Sequence, residues 1–478
     1  MIISLLFSNL LAAQNYQAIH GSPYAGCLSP ASNPASIVHV PFAWDITPLS
    51  IQFKQSTNAF KVEKYSLLSS PSNAEVKSVN GTFKKFFFAN QDIHLLNARF
   101  SLNSKVAVAF GANLRSYGYA TTTEANWQDT IGSLRDFMKI NLQNLPIGTD
   151  VRASSWIELY ATYSRTIFDD GDRILNGGIT FKVTRGLGGG FANLQSIRYN
   201  ASNQAAYLLT SGSFQYRYSD NFDFIDSSKT TAENSKTFLH RTYSGISADA
   251  GLEYILLSAE DDDAASDYAY ETKIGVSLMD IGSNKYKSST RSRFATAGKK
   301  DIVDTLIEKK FTDVRSVTAF NDSLATISNT LATLKEDFFI YQPARLVINI
   351  DQHIANNFFV NAELTIPILP IVAKSSVFIR DLNLLAITPR WEIQSLGVYF
   401  PFLLNTQKQL WVGGAFKAGP ILFGTHNLAN LFSKNTSQTG GLYLAFTVRP
   451  GKKYDRKEHS PSNKLSRKER ERMECPRF

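Results

Sequence analysis

Residue types that usually carry catalysis or hold metals are sparse in this sequence. The seven histidines are all isolated, and no two stand at the spacing that places a pair of metal ligands on one face of a helix. No Gly-x-Ser-x-Gly nucleophile elbow is present. We therefore predict that the protein is not an enzyme and needs no cofactor.

Two short stretches resemble ligand-binding loops. Gly186-Leu187-Gly188-Gly189-Gly190 could cradle a phosphate, but no Lys-Ser/Thr pair follows it, so we expect a flexible hairpin connection. Glu260-Asp261-Asp262-Asp263 could hold calcium, since clustered carboxylates are hard-ion ligands. This run lacks the spacing and the glycine of a calcium loop, and we predict a solvated turn between strands.

The chain has two cysteines, Cys27 and Cys475. Two cysteines exclude a disulfide framework and a cysteine-built metal site. A disulfide between them would tie the two ends together in an oxidising compartment, but we expect two free thiols.

The composition excludes both a disordered chain and a helical membrane protein. Of 478 residues, 43% are hydrophobic and 19% charged, and no run of about 18 apolar residues occurs. The first residues, MIISLLFSNLLAA, form a short apolar run that ends in small residues. We predict a signal peptide at 1–13. The alternative is a first buried strand or helix.

Side chains alternate between apolar and polar along much of the chain. In 94–102, for example, Ala98 and Phe100 alternate with Asn97 and Arg99. The same pattern recurs in 105–115, 271–278, 358–366 and 442–449. Such alternation indicates strands with one face in an apolar medium and the other in a polar one.

A soluble sandwich also alternates, but two features favour a membrane barrel. Many runs span about nine to sixteen residues, whereas sandwich strands are nearer five or six. The polar faces mix glycines with charges of both signs, as a crowded lumen would require: Asp249, Glu253, Glu271, Lys273, Arg345, Asp351 and Glu363. We predict a closed antiparallel outer-membrane β-barrel over 44–449 with about 14 strands, the short runs 193–200 and 418–425 being candidates for loops.

Three stretches break the alternation. Residues 124–146 and 300–338 show apolar spacings of three and four, which predicts helical insertions near the barrel mouth. In the second insertion the apolar stripe is Leu324, Ile327, Leu331 and Leu334. Residues 219–241 are polar, and we predict a loop there.

The segment LSPASNPASIVHVPFAWD at 28–45 has three prolines and few signs of a helix. Its Asn33-Pro34-Ala35 step, ahead of a barrel, resembles the N-terminal hatch of the FadL-type and PorV-type outer-membrane barrels. Together with GSPYAG near the start and ECPRF at the end, the chain resembles an uncharacterised Bacteroidota family of predicted barrels, known as a domain of unknown function. The resemblance implies that 14–43 form a plug inside the lumen.

The resemblance implies two alternative functions. In the first, the barrel is a gated passage for a small, hydrophobic solute. In the second, it carries no solute and is a structural or assembly partner of an outer-membrane complex, as PorV-type barrels are in type IX secretion. A lined apolar pocket or an opening in the wall would favour transport, and a solidly filled interior would favour the scaffold.

The C-terminal residues carry much of the net charge. From Pro450 onward there are ten basic and five acidic side chains, a net +5 of the chain's +9, so the body shows no basic face for nucleic acid. An even-stranded barrel with a periplasmic N-terminus releases 450–478 into the periplasm. This tail either only aids solubility or docks a periplasmic or envelope protein through Cys475, Pro476, Arg477 and Phe478. Outer-membrane lipid is the other expected partner.

Overall fold

The structure is a computed structural model, and it describes residues 18–66, 68–202, 206–257, 270–368, 377–434 and 438–450. The predicted signal peptide, the run at 260–263 and the tail beyond residue 450 lie outside the described residues. None of the helices in the described ranges is long and apolar enough to cross a membrane.

Strands that alternate in burial close into a barrel. Within the described ranges, fourteen antiparallel strands form it, named here in chain order: β1 (Trp44–Thr57), β2 (Gly81–Asn103), β3 (Val106–Trp127), β4 (Ile147–Asp169), β5 (Arg173–Ala201), β6 (Ser244–Leu257), β7 (Tyr270–Tyr286), β8 (Arg345–Ala355), β9 (Phe358–Pro367), β10 (Leu384–Glu392), β11 (Leu396–Tyr399 and Phe402–Asn405), β12 (Leu410–Val412 and Gly414–Ala418), β13 (Ile421–Thr425) and β14 (Thr439–Val448).

The barrel closes because β1 pairs with both its neighbours. Ile46 lies opposite Ala98 of β2 on one side and opposite Val448 of β14 on the other. All pairings around the ring are antiparallel. Closure removes the sheet edges, so every wall strand has two partners. The predicted closed antiparallel barrel of about fourteen strands is confirmed.

The two ends of the barrel differ in their connections. At the end where β1 begins and β14 finishes, short turns such as 104–105, 170–172 and 356–357 join the strands. At the other end most connections are long, and β2–β5 project beyond their shorter neighbours.

Most helices belong to the long connections: α1 (Leu134–Ile140), α2 (Thr231–His240), α3 (Asp304–Phe311), α4 (Val317–Ile327) and α5 (Ala429–Phe432). Short strands outside the barrel ring accompany them: Phe60–Glu63, Glu75–Ser78, Tyr207–Tyr218, Arg293–Thr296, Thr330–Thr333, Phe338–Tyr341 and Val377–Phe378. Single 3-10 turns occupy Gly26–Ala31, Pro34–Ile37, Pro71–Asn73, Leu142–Asn144 and Asp220–Phe224.

The structure corrects the predicted helical insertions. Residues up to Trp127 extend β3, and the helix expected over 124–146 is confined to α1. The insertion at 300–338 holds two helices followed by a short strand that contains Leu331. The stripe is therefore split, and only Leu324 and Ile327 lie on a helix, buried against Ala295 and Ile302. The predicted loop at 219–241 contains a 3-10 turn and α2.

Three further expectations about strands are wrong. Gly186–Gly190 and 193–200 are not connections, because both lie within the 29-residue strand β5. Residues 421–425 form the wall strand β13. Residues Tyr207–Tyr218 form a further strand outside the ring, paired with the projecting part of β5 and with Arg293–Thr296.

The outer surface of the barrel is apolar and its inner surface is polar. Outward side chains are exposed and hydrophobic on strand after strand: Leu49, Leu96, Phe110, Leu159, Ile179, Phe181, Ile246, Leu252, Val276, Ile350, Leu364, Ile387, Phe402, Phe416, Phe423 and Phe446. Of the charged residues predicted to face the lumen, these are buried: Asp249, Glu253, Lys273, Arg345, Asp351 and Glu363. Glu271 is exposed, because the register between β6 and β7 shifts between Tyr270 and Thr272.

Candidate functional site in the barrel interior

The segment that precedes β1, residues 18–43, is held in two 3-10 turns. Asn33 begins the second turn, and its Oδ1 accepts a hydrogen bond from the Ala35 N–H at 2.9 Å. Its Nδ2 donates to the backbone carbonyl of Leu252 in the barrel wall at 2.9 Å. Pro34 occupies the first position of the turn, where a backbone N–H has no partner to lose. One asparagine thus caps the turn and fastens it to the wall.

Barrel side chains satisfy the irregular backbone of this segment. Ser277 Oγ donates to the Ser32 carbonyl at 2.5 Å, and Ser164 Oγ donates to the Ala35 carbonyl at 3.2 Å. Four further donations come from longer side chains: Arg345 to Ala31, Arg99 to Ile37 and Phe42, and Lys273 to Gly21. Buried carbonyls without a helix or sheet need such partners, and here the donors come from several different strands.

Glycines on three adjacent strands make room for the Asn-Pro-Ala step. A Cβ on Gly178 would lie 2.5 Å from the Pro34 carbonyl carbon, and a Cβ on Gly251 would lie 2.1 Å from Asn33 Oδ1. A Cβ on Gly275 would lie 2.9 Å from Asn33 Nδ2. We call these three residues the glycine notch. The wall at the notch has no side chains on its inner face.

The opposite side of the interior holds an apolar cluster. Ala18, Ile19, Ala25 and Leu28 pack against inward residues of β11–β14, which are Tyr399, Ala415, Leu422, Tyr443 and Ala445. Just past β14, Arg449 Nη1 donates to the Tyr24 carbonyl at 3.2 Å. The start of the described chain is therefore in contact with its last wall strand.

Asp280 is the centre of a buried ionic cluster in the lumen. It has φ +59° at a register shift in β7, and both it and Met279 are buried. Its carboxylate accepts from Arg115 at 2.5 and 3.0 Å, from Lys182 at 2.7 Å and from Arg345. One carboxylate joins cations from three strands that are distant in sequence.

A second ionic group reaches the N-terminal segment. Arg390 pairs with Asp351 at 2.5 Å and with Glu392 at 2.8 Å. Ser22 Oγ donates to Glu392 Oε2 at 2.8 Å, so the segment is tied to this group as well. Among the described residues, no group of three or more His, Cys, Asp or Glu side chains could hold a metal ion.

Aromatic side chains lie next to the Asp280 cluster, toward the long connections. Tyr117 and Trp156 stack at a centroid distance of 5.5 Å, with the Arg115 guanidinium 5.3 Å from the Trp156 ring centroid. The other buried side chains that pack with these two rings are Tyr286, Phe338, Ile340 and Ile379. The connection that carries Ile379 is held inside by a buried ion pair between Lys54 and Asp381 at 3.2 Å. We call this group the aromatic layer.

The outer face of the barrel has a recess behind the glycine notch. It is lined by Tyr163, Arg165, Ile167, Ile179, Leu252, Val276 and Leu278, with Gly177, Gly178, Ala250, Gly251 and Ser277 between them. Leu252 links the two faces, because its side chain is in the recess and its carbonyl accepts from Asn33. Asn33 and the outer apolar surface are thus separated by a wall of backbone alone.

The predicted site residues have different outcomes. Asn33, Pro34 and Ala35 lie together at the glycine notch. Cys475–Phe478 lie outside the described residues, and the docking hypothesis stays a prediction. Cys27 is a buried free thiol whose Sγ lies 3.0 Å from Thr47 Oγ1.

Sequence reasoning missed the ionic cluster. Its central residue, Asp280, is turned inward by a bulge that strict alternation does not contain.

The fold and its apolar outer face define an outer-membrane β-barrel. Closed antiparallel barrels with an even strand number, short turns at one end, long loops at the other and an outward apolar band are typical of that class. The protein is thus an integral outer-membrane protein.

The chain belongs to a family of unknown function, DUF5723, whose model matches residues 34–426. No curated protein shows significant sequence similarity to it. Among solved structures, it is similar to a TodX monoaromatic hydrocarbon channel carrying the deltaS2S3 change (10% identity, 89% of this chain and 95% of that one, TM-score 0.41). It is also similar to the Ralstonia pickettii toluene transporter TbuX (11%, 91% and 99%, 0.40) and to a Pseudomonas aeruginosa FadL homologue (10%, 93% and 98%, 0.40).

Proposed function

We propose that the protein is a gated outer-membrane passage for a small apolar solute, with residues 18–43 acting as its plug. The observation that carries this proposal is the apolar recess directly behind the glycine notch and Asn33. An apolar solute that leaves the lumen there would enter lipid without crossing a charged layer. Irregular backbone at membrane depth is tolerated only inside protein or at a cavity, which suits a plug.

The test uses phenylnaphthylamine, a small apolar dye that fluoresces in lipid, with cells that carry the protein in their outer membrane. We expect dye uptake above that of cells with an empty vector. Gly177→Phe should reduce uptake at least about twofold, because Gly177 faces the recess and its Cβ would meet Ile167 at 2.6 Å. The matched control Leu404→Phe adds the same ring on the opposite lipid face, where Leu404 is exposed, and should leave uptake unchanged.

A structural or assembly role is the second candidate. The Asp280 cluster and the aromatic layer lie buried in the interior, as a scaffold that carries no solute would allow. Uptake equal to that of the empty vector, with the barrel folded and abundant, would reject the passage and favour this role.

The C-terminal tail is proposed to dock a periplasmic or envelope protein through Cys475–Phe478. Its basic charge would attract an acidic partner, and Pro476 and Phe478 would supply an apolar anchor. Deletion of 459–478 should leave barrel assembly intact and remove the partner from co-purified material. Retention of every partner by the truncated protein would contradict the proposal.

A further inference from the structure

Arg165 is a charged side chain on the lipid-facing surface of the barrel. Its neighbours along β4, Ser164 and Thr166, are buried and face the lumen, so the alternation of the strand turns Arg165 outward, where it is exposed. The part of the chain that the structure describes gives its guanidinium no hydrogen bond and no ion pair. The N–H donors of Arg165 are therefore available to a group from the membrane.

The outward positions around Arg165 are apolar. Val106 of β3 lies opposite it on one side, and Leu252 of β6 lies in the same row on the other. Ile167 and Phe168, nearer the end of β4, are exposed and apolar as well. Arginine on the lipid face of a barrel is destabilising, and more so with distance from the interface. Arg165 is therefore an exception within the apolar band and needs an anionic partner there.

The periplasmic interface is within reach of this side chain. Arg165 stands four residues before the end of β4 at Asp169, which corresponds to roughly 10 Å of barrel height on a tilted strand. This end has the short turns, which lie on the periplasmic side in barrels of this class. An arginine side chain can run along apolar surface and present its head group at the interface. The phosphate groups of that leaflet are the anions nearest to it.

The outer recess begins directly beside Arg165. Gly177 lies opposite Arg165 on β5, and Ala250 is a small outward residue on β6. Because neither position carries a large side chain, a recess of about 550 Å³ is left between rims that include Leu252 and Val276. Sites for small molecules have volumes of about 300–1,000 Å³. The recess therefore has room for a stretch of an acyl chain.

We propose that the recess and Arg165 together bind a phospholipid of the surrounding membrane. An acyl chain occupies the recess, and the phosphate accepts hydrogen bonds from the Arg165 guanidinium, whose planar donors suit a phosphate oxygen pair. The single cation beside an apolar lining matches the two parts of such a molecule. The proposal uses the recess as a binding surface and does not rest on the passage of solute.

The head-group half of the proposal is tested by native mass spectrometry. The full-length protein, stripped of lipid in detergent micelles, is titrated with dioleoyl phosphatidylglycerol. We expect saturable binding of one lipid, and Arg165→Gln should weaken its apparent affinity at least about fivefold. Arg173→Gln is the matched control, because Arg173 is exposed at the start of β5 and does not line the recess. It should leave the affinity unchanged. Equal affinities of the two variants would overturn the proposal, since they would show only a general attraction of cations to head groups.

The acyl-chain half is tested with alanines of β6. Ala250→Leu fills part of the recess and leaves Arg165 in place, and it should also weaken binding at least about fivefold. Ala248→Leu adds the same side chain two residues away, at an exposed position outside the recess, and should have no effect. Unchanged binding to Ala250→Leu would overturn the proposal.

Inorganic phosphate in tenfold excess over the lipid distinguishes a lipid site from a phosphate site. We expect the phosphatidylglycerol to stay bound, because phosphate alone makes no contact with the apolar recess. Displacement of the lipid by phosphate would contradict an acyl chain in the recess. None of these measurements involves dye uptake, so the lipid site and the passage can fail separately.

Discussion

The N-terminal segment lies between two unlike sides of the barrel interior. Toward β11–β14 it makes apolar contacts through side chains such as Ile19 and Leu28. Toward β2–β8 it is held by directed hydrogen bonds, many of them from charged side chains to its backbone carbonyls. Apolar burial is strong but has no direction, whereas hydrogen bonds fix an orientation. We infer that the apolar contacts stabilise the segment inside the lumen and that the hydrogen bonds on the polar side set the position of Asn33.

The largest effect is expected from the centre of the polar side. Asp280→Asn removes the charge shared by Arg115, Lys182 and Arg345. Arg115 and Lys182 keep ion pairs with Asp92 and Asp249, but the buried Arg345 loses the one carboxylate with which it pairs among the described residues. Loss of one partner in such a buried group costs about 3–5 kcal/mol. The free energy of unfolding in urea, followed by tryptophan fluorescence in micelles, measures it. Asp337→Asn breaks a partly exposed pair with Lys285 and should cost under about 1 kcal/mol. Equal losses of unfolding free energy in the two variants would show that the Asp280 cluster stabilises the fold no more than a partly exposed ion pair does.

An intermediate effect is expected on the apolar side. Leu28 is 2% exposed, and Leu28→Ala removes its contacts with the β11–β14 wall. The expected cost is about 2 kcal/mol, at the low end for a buried leucine, since the short segment can shift to fill part of the space. Cys27 belongs to the segment and is buried, so faster maleimide labelling measures the loosening. The protein carries Cys475→Ser, so that Cys27 is its only thiol. Leu410→Ala, at a position 69% exposed, is the control and should leave the rate unchanged.

The smallest effect is expected from a single hydrogen bond on the polar side. Ser36 Oγ donates to Glu253 Oε1 at 2.6 Å, and Ser36→Ala removes only this donor. We expect the contact between the segment and the wall to weaken by about 1 kcal/mol, which faster maleimide labelling of Cys27 measures. Ser72→Ala, on an exposed turn, should have no effect. If Ser36→Ala accelerates labelling more than Leu28→Ala does, the division of roles between the two sides is reversed.

The alternation of side chains was sufficient to predict the barrel. Arg99 and Asn97 face inward and Phe110 faces outward, because a strand that separates lipid from a filled lumen must alternate at every step. Strand ends were predicted less well. Glycines 186–190 suggested a turn, yet they lie in β5, where Tyr286 packs so close to Gly186 and Gly189 that a Cβ would collide with its ring.

The interior could be predicted only in part. Asn33 was singled out by a resemblance, but the glycine notch that receives it is assembled from β5, β6 and β7, whose register no local pattern gives. The inward position of Asp280 was not predicted, because a residue with left-handed backbone at a bulge reverses the alternation.

The contact between Arg449 and Tyr24 has a consequence for biogenesis. Tyr24, ahead of the first wall strand, touches Arg449, the residue that follows the last wall strand, and β14 completes the ring by pairing with β1. A ring that closes while this segment is still outside would have to admit it later through one of its two ends. We therefore expect the N-terminal segment to enter the lumen before or while β14 pairs with β1, so that the barrel closes around the segment.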